Sequence, residues 1–324
     1  MKVIIPVAGV GTRLRPHTHT APKPLLHVAG KPILGHILDE LNDLAPEQVV
    51  FVVGHMGDQI IDYVKSQYDF ETTFIEQTEL AGLGHAVYLA LEQTGETDVL
   101  ILLGDTIIDC DLPELIETGD NVLGLKAVDD PQRFGIAEIE DGKITHLVEK
   151  PQNPASNLAI VGVYYIKEAN KLRSQLKALI EAQKTTKGEF QITDALQGMI
   201  DSGSTFHPYD IVNWFDCGKK ETMLSTNRAL LAQAPSALAG ENAVLIPPVF
   251  IAPDARVEHA IVGPFVSIGA GAQVSRCVVR DSIISAGARV SDILLEGSLV
   301  GNDTEIRGHY KKFNVGDDSE VTDL

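Results

Sequence analysis

The sequence predicts an α/β chain in two parts. Residues 1–233 read as a Rossmann-like domain with a mostly parallel sheet, and residues 234–324 as a linker followed by a short left-handed parallel β-helix of hexapeptide repeats. Three observations predict this. Short runs rich in Val, Ile and Leu alternate with helical patterns through the first part, which is the signature of a parallel sheet covered on both faces. Aliphatic residues recur every five or six positions through the last part, the spacing of a β-helix. The stretch Ala234–Asn242, "APSALAGEN", has the small, polar composition of a linker between them.

In chain order, the strand-like runs are Lys2–Val7, Val49–Val53, Thr72–Ile75 and Val99–Leu103. Helical spacing appears over Ile33–Leu44, Asp58–Tyr68 and Ala86–Gln93. After Arg133 the pattern changes. Gly135–Glu140 and Lys143–Glu149 flank an Asp141-Gly142 turn and predict a hairpin. Ile160–Ile166 is another strand and Ala169–Ala182 a helix. Lys187–Asp201 is a polar loop running into a helix, and Lys220–Gln233 is the last helix before the linker. In the repeats, Ile251, Val257, Val262, Ile268, Val274, Val279, Ile284, Val290, Leu295, Val300 and Ile306 are the inward positions. Three faces make a coil of roughly 17 residues, so about three coils and a fraction are expected. Ordinary short strands would alternate at period two instead.

Composition excludes several classes. The 44% apolar fraction supports a packed core, and no run is long enough to span a membrane. The N-terminus lacks a secretory pattern, so a cytoplasmic protein is expected, with neither a membrane nor a nucleic acid as partner. Cys110, Cys217 and Cys277 are too few and too scattered for a disulfide framework or a zinc spacing. The net charge of −19 argues against a nucleic-acid surface. It also means that an anion site must be built locally, from backbone N–H groups, a few cations and a metal.

The stretch Val7–Pro32, "VAGVGTRLRPHTHTAPKPLLHVAGKP", is where such a site would lie. It leaves a strand through glycines, and Arg13, Arg15 and Lys23 follow closely. It is not a Walker A loop, because no Gly-Lys-Ser/Thr follows. It is not a dinucleotide fingerprint either, because Leu14 stands where a third glycine is needed. Pro16, Pro22, Pro24 and Pro32 forbid a continuous helix here. In a parallel sheet, ligands sit at the carboxyl ends of strands, which is where this loop and Gly104-Asp105 both fall.

The chain resembles the sugar-1-phosphate nucleotidylyltransferases, closest to the glucose-1-phosphate thymidylyl- and uridylyltransferases that carry a β-helix tail. The resemblance lies in Ala8–Leu14 with Pro22-Lys23-Pro24-Leu25-Leu26, in Gly104-Asp105, and in Phe134-Gly135-Ile136. It continues through Glu149-Lys150, Val161-Gly162-Val163-Tyr164, Gly188–Asp194 and Trp214–Gly218. One departure is Val7-Ala8-Gly9-Val10-Gly11, where many members pair their glycines. Gly9 and Gly11 still permit close backbone approach.

The resemblance implies roles residue by residue. Asp105 and Asp216 would hold Mg²⁺, a hard cation that takes one or two carboxylates plus phosphate oxygens. Taken alone, Asp105 would be an ordinary turn residue. Arg13 and Lys23 would hold the triphosphate with the backbone of Ala8, Gly9, Gly11, Thr12 and Gly104. Gln77 and Gly82 would read the base. Lys150 would grip the sugar phosphate and Glu149 the sugar hydroxyls. Gly135, Gly162, Tyr164 and Trp214 would line the sugar pocket, although Tyr164 and Trp214 equally suit a plain core. His17-Thr18-His19 lacks a nearby third metal ligand and reads as a polar loop over the site. Cys217 reads as a small packed residue.

The implied substrates are a nucleoside triphosphate, dTTP or UTP, and a hexose 1-phosphate, with glucose 1-phosphate leading. Thymine and uracil show the same imide edge, so the sequence leaves the base open. Two other readings stand beside this one. A sensor that binds nucleotide sugars without turnover would lack a metal carboxylate, yet both aspartates are present. An acyltransferase β-helix would need more coils and a catalytic histidine, whereas only His259 and His309 lie near the repeats. The β-helix is therefore expected to be structural and to organise a homo-oligomer.

Overall fold

The computed structural model describes residues 1–117, 120–233 and 242–309. The sequence-read linker lies outside them except for Asn242, as does the stretch 310–324. The chain divides into two compact units. One is Met1–Leu26 with Lys31–Met223, and the other is His27–Gly30 with the described part of Leu224–Leu324. Among the described residues, no helix is long and apolar enough to cross a membrane.

The first unit is built on a nine-stranded sheet. Its first four strands are β1 (Lys2–Pro6), β2 (Gln48–Val53), β3 (Thr72–Glu76) and β4 (Val99–Leu102). They pair in parallel in the order β4-β1-β2-β3. Val3, Ile4, Ile5, Val49, Val50, Phe51 and Val52 are fully buried, as strands covered on both faces must be. The crossover helices are α1 (Ile33–Asp39), α2 (Gly57–Gln67) and α3 (Leu83–Thr94). Helix α1 is shorter than its apolar pattern predicts. Beyond Asp39 the chain tightens into i→i+3 turns, Leu41 N to Leu38 O and Asn42 N to Asp39 O. Helix α3 starts earlier than expected, because Gly82 at φ +105° turns the chain into it.

The rest of the sheet is mixed. The short strand β5 (Thr106–Asp109) leaves the sheet after β4, and β6 (Asn121–Ala127) returns to it after the short helix α4 (Leu112–Glu117). The predicted hairpin forms at its predicted limits as β7 (Gly135–Glu140) and β8 (Lys143–Glu149). The long strand β9 (Leu158–Ile166) runs antiparallel to β4, β6 and β7. No helix separates it from β8, so no parallel crossover is available to it. Helices α5 (Ala169–Glu181) and α6 (Ile192–Asp201) cover this half, and β10 (Phe206–Asp210) adds to β6. Strand β11 (Asn213–Asp216) pairs antiparallel with β5, away from the main sheet.

The second unit is the expected β-helix: three four-stranded parallel sheets form its three faces. Every predicted inward residue stacks on its counterpart one coil away. Ile251 meets Ile268, which meets Ile284, which meets Val300. Val257 meets Val274, which meets Val290, which meets Ile306. Val262 meets Val279, which meets Leu295. Corners turn through left-handed residues one coil apart, His259, Arg276 and Asp292. Arg276 clamps Asp292 through Nε–Oδ1 at 2.6 Å and Nη2–Oδ2 at 3.0 Å, so successive corners are tied by side chains.

One face of the coil stack is covered. Helix α7 (Lys220–Gln233) lays Asn227, which is fully buried, against it. Asn227 Oδ1 accepts from Ala29 N at 2.9 Å and from Ser267 Oγ at 2.6 Å, and Nδ2 donates to Phe265 O at 3.2 Å. Arg228 pairs with Asp281 nearby, and Gly30 has no room for a Cβ above the Phe250 ring. One amide therefore ties together three groups that are buried or partly buried. Asn227→Ala should lower stability by roughly 1–3 kcal/mol through the groups left unpaired. Denaturant midpoints of variant and parent decide this, and equal midpoints would show that the network carries no weight.

Candidate active site

The site is built from the loop that follows β1. Gly11 is left-handed at φ +64° and opens a short 3₁₀ turn over Thr12–Leu14. Two more such turns follow, His17–His19 and Lys23–Leu25, where the prolines deny a continuous helix. Thr18 Oγ1 donates to Gly11 O at 3.0 Å and folds the segment back onto itself. This return packs the Lys23 side chain under the glycine loop, so that a Cβ on Gly11 would sit 3.0 Å from Lys23 Cβ.

Lys23 is 6% exposed, and its Nζ meets Asp105 Oδ2 at 2.7 Å. A lysine is seldom this buried without a carboxylate partner. Asp105 stands just past the carboxyl end of β4, so the pair ties the glycine loop to the neighbouring strand end. Asp105 Oδ1 accepts from Thr106 Oγ1 at 3.2 Å. Gly104 makes the approach possible. A Cβ there would overlap Val7 Cγ1 and come within 3.1 Å of Pro6 O.

Around this pair lies a cleft of about 560 Å³. It brings together the sequence-predicted Ala8, Gly9, Gly11, Thr12, Arg13, Lys23, Gln77, Gly82, Gly104 and Asp105. Gln77 is 6% exposed, with its Nε2 3.2 Å from Gly82 O and 3.2 Å from His85 Nδ1. Its amide nitrogen is thus engaged within the protein.

Asp216 reaches the same place from far along the chain. In the β5–β11 ladder it lies opposite Thr106, next to Asp105 in sequence. A Cβ on Gly218 would stand 2.8 Å from Asp216 Oδ1 and 3.0 Å from Arg13 Nη2, so this glycine leaves the carboxylate and the guanidinium facing each other. Arg133 Nη2 lies 3.9 Å from Asp216 Oδ2. Cys217, between Asp216 and Gly218, is fully buried.

The remaining predicted residues do not line the cleft; most gather around Glu149. Its Oε2 accepts from Thr193 Oγ1 at 2.7 Å, and its Oε1 lies 3.1 Å from Lys150 Nζ. Gly135 faces Glu149 across the hairpin, and its missing side chain leaves space that Thr193 and Glu149 fill. Lys150 takes φ +45° and anchors its N–H on Phe134 O at 2.9 Å. Tyr164 is 4% exposed. Burial raises its hydroxyl pKa, and the charges of Glu149 and Asp105 add to the effect, so it feels both groups. Trp214 packs edge-on against Phe134 at 5.1 Å, with its buried Nε1 lacking a hydrogen-bond partner. Gly162, at φ +90°, lets β9 step past the Leu103 side chain, and its carbonyl accepts from Leu103 N at 3.0 Å.

Burial lowers the His17 pKa, so this imidazole favours its neutral form. Among the described residues, no group of three or more His, Cys, Asp and Glu stands ready to hold a metal. Sequence reasoning did not single out Arg133, Thr193, Glu189 or Gly218. Glu189 and Gly218 line the cleft. Arg133 directly precedes the Phe134-Gly135-Ile136 match, and Glu189 and Thr193 lie within the Gly188–Asp194 match, so adjacency to motifs was the available signal.

A glycine loop, a buried Lys–Asp pair and a second aspartate at the carboxyl edge of a parallel sheet define an α/β enzyme that handles phosphates. The chain belongs to the Nucleotidyl transferase family, which it matches over residues 2–233, and it is a nucleotidyltransferase. It is 32% identical over 360 residues to the low-salt glycan biosynthesis nucleotidyltransferase of Haloferax volcanii, covering 99% of each chain. It is 31% identical over 358 residues to a glucose-1-phosphate thymidylyltransferase of Streptomyces antibioticus, again covering 99% of each. A solved Bacillus anthracis structure, assigned as a glucose-1-phosphate thymidylyltransferase and holding sucrose, matches with a TM-score of 0.63 at 28% identity. That match covers 74% of this chain and 98% of the other.

The tightest point of the site generates a prediction. Gly104→Ala forces a methyl group into Val7 and pushes β1 from the Asp105 turn, an overpacking that costs about 1–3 kcal/mol. The thermal midpoint should fall, and nucleotidyl transfer should drop more than tenfold as Lys23 and Asp105 separate. Parent-level turnover in the purified variant would show that their spacing is not critical.

Proposed function

We propose that the chain transfers a nucleoside monophosphate from dTTP or UTP to a hexose 1-phosphate, with glucose 1-phosphate the first candidate, releasing pyrophosphate. The observation that carries this reading is a pair of differently built cationic positions, each held by a carboxylate that bears on the buried Tyr164 hydroxyl. One is the buried Lys23 in the cleft, and the other is the half-exposed Lys150 beside Glu149. A reaction between a triphosphate and a sugar phosphate needs two such positions. The thymidylyltransferase and glycan-biosynthesis relatives lend the sugar-nucleotide reading further support.

The chemistry asks little covalent work of the protein. A phosphate monoester loses its second proton near pH ~6, so the attacking oxygen is already largely ionised and no general base is required. That oxygen forms a bond to the α-phosphorus as the bond to the pyrophosphate oxygen breaks. Catalysis then lies in positioning and charge stabilisation. In this reading the loop Gly9–Thr12, Arg13 and Lys23 hold the triphosphate. Gln77 offers its carbonyl to the imide N–H of thymine or uracil, with Gly82 beneath the base. Lys150 holds the sugar phosphate, and Glu149, fixed by Thr193, accepts from sugar hydroxyls. Gly135, Gly162, Tyr164 and Trp214 surround the sugar.

Asp105 and Asp216 suit Mg²⁺: two hard carboxylates, one directly preceding the residue that lies opposite the other in the β5–β11 ladder, are short of a full protein cage and match a cation that keeps waters and takes phosphate oxygens. Bound there, the ion would offset negative charge on the phosphates. EDTA should abolish turnover, and Asp105→Asn should cut it by orders of magnitude while leaving the fold intact. Activity that persists in EDTA would remove the metal assignment.

The direct test is a matrix of four nucleoside triphosphates against several sugar 1-phosphates, read by pyrophosphate release. Turnover confined to pyrimidine triphosphates with a hexose 1-phosphate supports the reading, and a purine preference overturns it. Lys150→Ala separates the two phosphate positions. It should raise the KM for the sugar phosphate more than tenfold with little change in nucleotide affinity by calorimetry. The opposite pattern would mean that the two phosphate positions are reversed.

A further inference from the structure

Gln77 directly follows β3, and its N–H donates to Val53 O, at the end of β2, at 2.8 Å. Its backbone is therefore held, and its nearly buried side chain lies in the wall of the cleft. An amide group turns over about its last bond at little steric cost, exchanging oxygen for nitrogen. To a ligand the two orientations are opposites, because one offers an acceptor and the other a donor.

Two acceptors choose between them. Gly82 O and His85 Nδ1 each lie 3.2 Å from the Gln77 amide nitrogen. A backbone carbonyl can only accept, so the Gln77 atom facing Gly82 is the nitrogen. That nitrogen carries two hydrogens, one for Gly82 O and one for His85 Nδ1. Nδ1 is then bare, and the imidazole carries its hydrogen on Nε2. Turning the amide over would set its oxygen against two acceptors at once. Neither acceptor is free to retreat. A Cβ on Gly82 would stand 2.7 Å from Glu189 Cβ and 2.8 Å from Phe190 O. Phe190 N donates to Ala81 O at 2.8 Å, and Gly84 N donates to Phe190 O at 2.8 Å, so the turn into α3 is clamped. His85, half-buried, follows on the first turn of that helix.

We propose that His85 is a positioning residue that sets which class of pyrimidine the site accepts. The inference rests on the base-reading role proposed for Gln77 above. By taking the second amide hydrogen, His85 holds the Gln77 carbonyl as the group offered to the base. Uracil and thymine bring an N3–H donor to that carbonyl. Cytosine brings a bare N3, and two lone pairs then face each other. Opposed polar groups discriminate far more strongly than a missing methyl group does. Without the Nδ1 acceptor, Gly82 O alone opposes the turned amide, and Gln77 can offer its nitrogen to cytosine. His85 thus acts through Gln77 and needs no contact with the nucleotide.

The experiment measures kcat/KM of the full chain for UTP and for CTP, by pyrophosphate release with one hexose 1-phosphate. The parent should favour UTP by at least about a hundredfold. His85→Leu removes the acceptor and should cut that ratio at least about tenfold, through the two KM values, with kcat for UTP little changed. His85→Asn places an accepting Oδ1 near the position of Nδ1 and should keep the ratio within about threefold of the parent. Gln77→Leu should lose the preference as well. If His85→Leu keeps the parent ratio while Gln77→Leu loses it, His85 has no part in the choice, and the reading of Gln77 stands. If the parent itself shows no preference for UTP over CTP, the base reading fails and the proposal falls with it. A ratio lost equally in His85→Leu and His85→Asn makes the histidine a mere filler of the turn and overturns the proposal. Nitrogen NMR of the imidazoles in mildly alkaline buffer decides the matter even where His85→Leu fails to fold. The parent signal that vanishes in His85→Asn should report a bare Nδ1, and a hydrogen on Nδ1 overturns the inference.

Discussion

Lys23 and Asp105 are joined at 2.7 Å across 82 positions of sequence, with the lysine almost wholly out of solvent. Burying an ammonium group is costly unless a carboxylate meets it, so the loop carrying Lys23 must close onto the end of β4. Much of the first unit serves that closure. Gly104 is small so that the end of β4 can lie against β1. The prolines break Arg15–Pro32 into tight turns instead of a helix that would carry Lys23 away. Gly11 turns left-handed so that the lysine stem can pass beneath it. The cleft is the space that this arrangement leaves in front of the glycine loop.

The second aspartate depends on a different constraint. Asp216 is placed by a two-stranded ladder outside the main sheet, in which β11 returns to β5 after more than a hundred residues. The Cβ space at Gly218 is what keeps Asp216 and Arg13 in view of each other. Arg133 approaches the same carboxylate from the turn before the hairpin. Three distant segments thus meet at one carboxylate, Asp216 on a strand and the two arginines on short 3₁₀ turns. Positioning catalysis requires this of groups that must hold substrates to within fractions of an ångström.

Local pattern made the repeats legible in the sequence. All eleven aliphatic positions picked out by spacing stand in strands and stack coil on coil, because a β-helix repeats its environment at a fixed interval. The hairpin Gly135–Glu149 and the helix Lys220–Gln233 were legible for the same reason: turn chemistry and apolar period are short-range. The β5–β11 ladder was not. Nothing within a few residues of Ile107 announces that Phe215 will lie opposite. The length of α1 was misread because Leu41 and Leu44 continue an apolar period that the backbone has already left for i→i+3 turns. Of the candidate site, the cleft-lining residues were readable as motifs and do converge. Arg133 and Thr193 went unremarked because their significance lies in partners, Asp216 and Glu149, that only the fold supplies. One outward column of the β-helix shows the same limit. Val244, Ile261, Val278 and Leu294 each look ordinary in sequence, and only the register shows that they form a column.

The two lysines show how one residue type serves two tasks. Lys23 has a side chain 7% exposed and is held by a carboxylate from another strand, so its position is fixed before any ligand arrives. Lys150 has a side chain 41% exposed and pairs with its neighbour Glu149, which is itself 8% exposed and anchored by Thr193. Glu149 is thus the immobile member of that pair and Lys150 the adaptable one. In a chain of net charge −19, neither cation can draw on a favourable overall field, so each works through contact at short range. A fixed ammonium suits the multiply charged phosphate chain that must be aligned for displacement. An adaptable one suits the phosphate that must advance toward it, because the charge can follow the moving oxygen without a new desolvation cost. The difference in burial between Lys23 and Lys150 thus supports the proposed division, with the triphosphate at one and the sugar phosphate at the other.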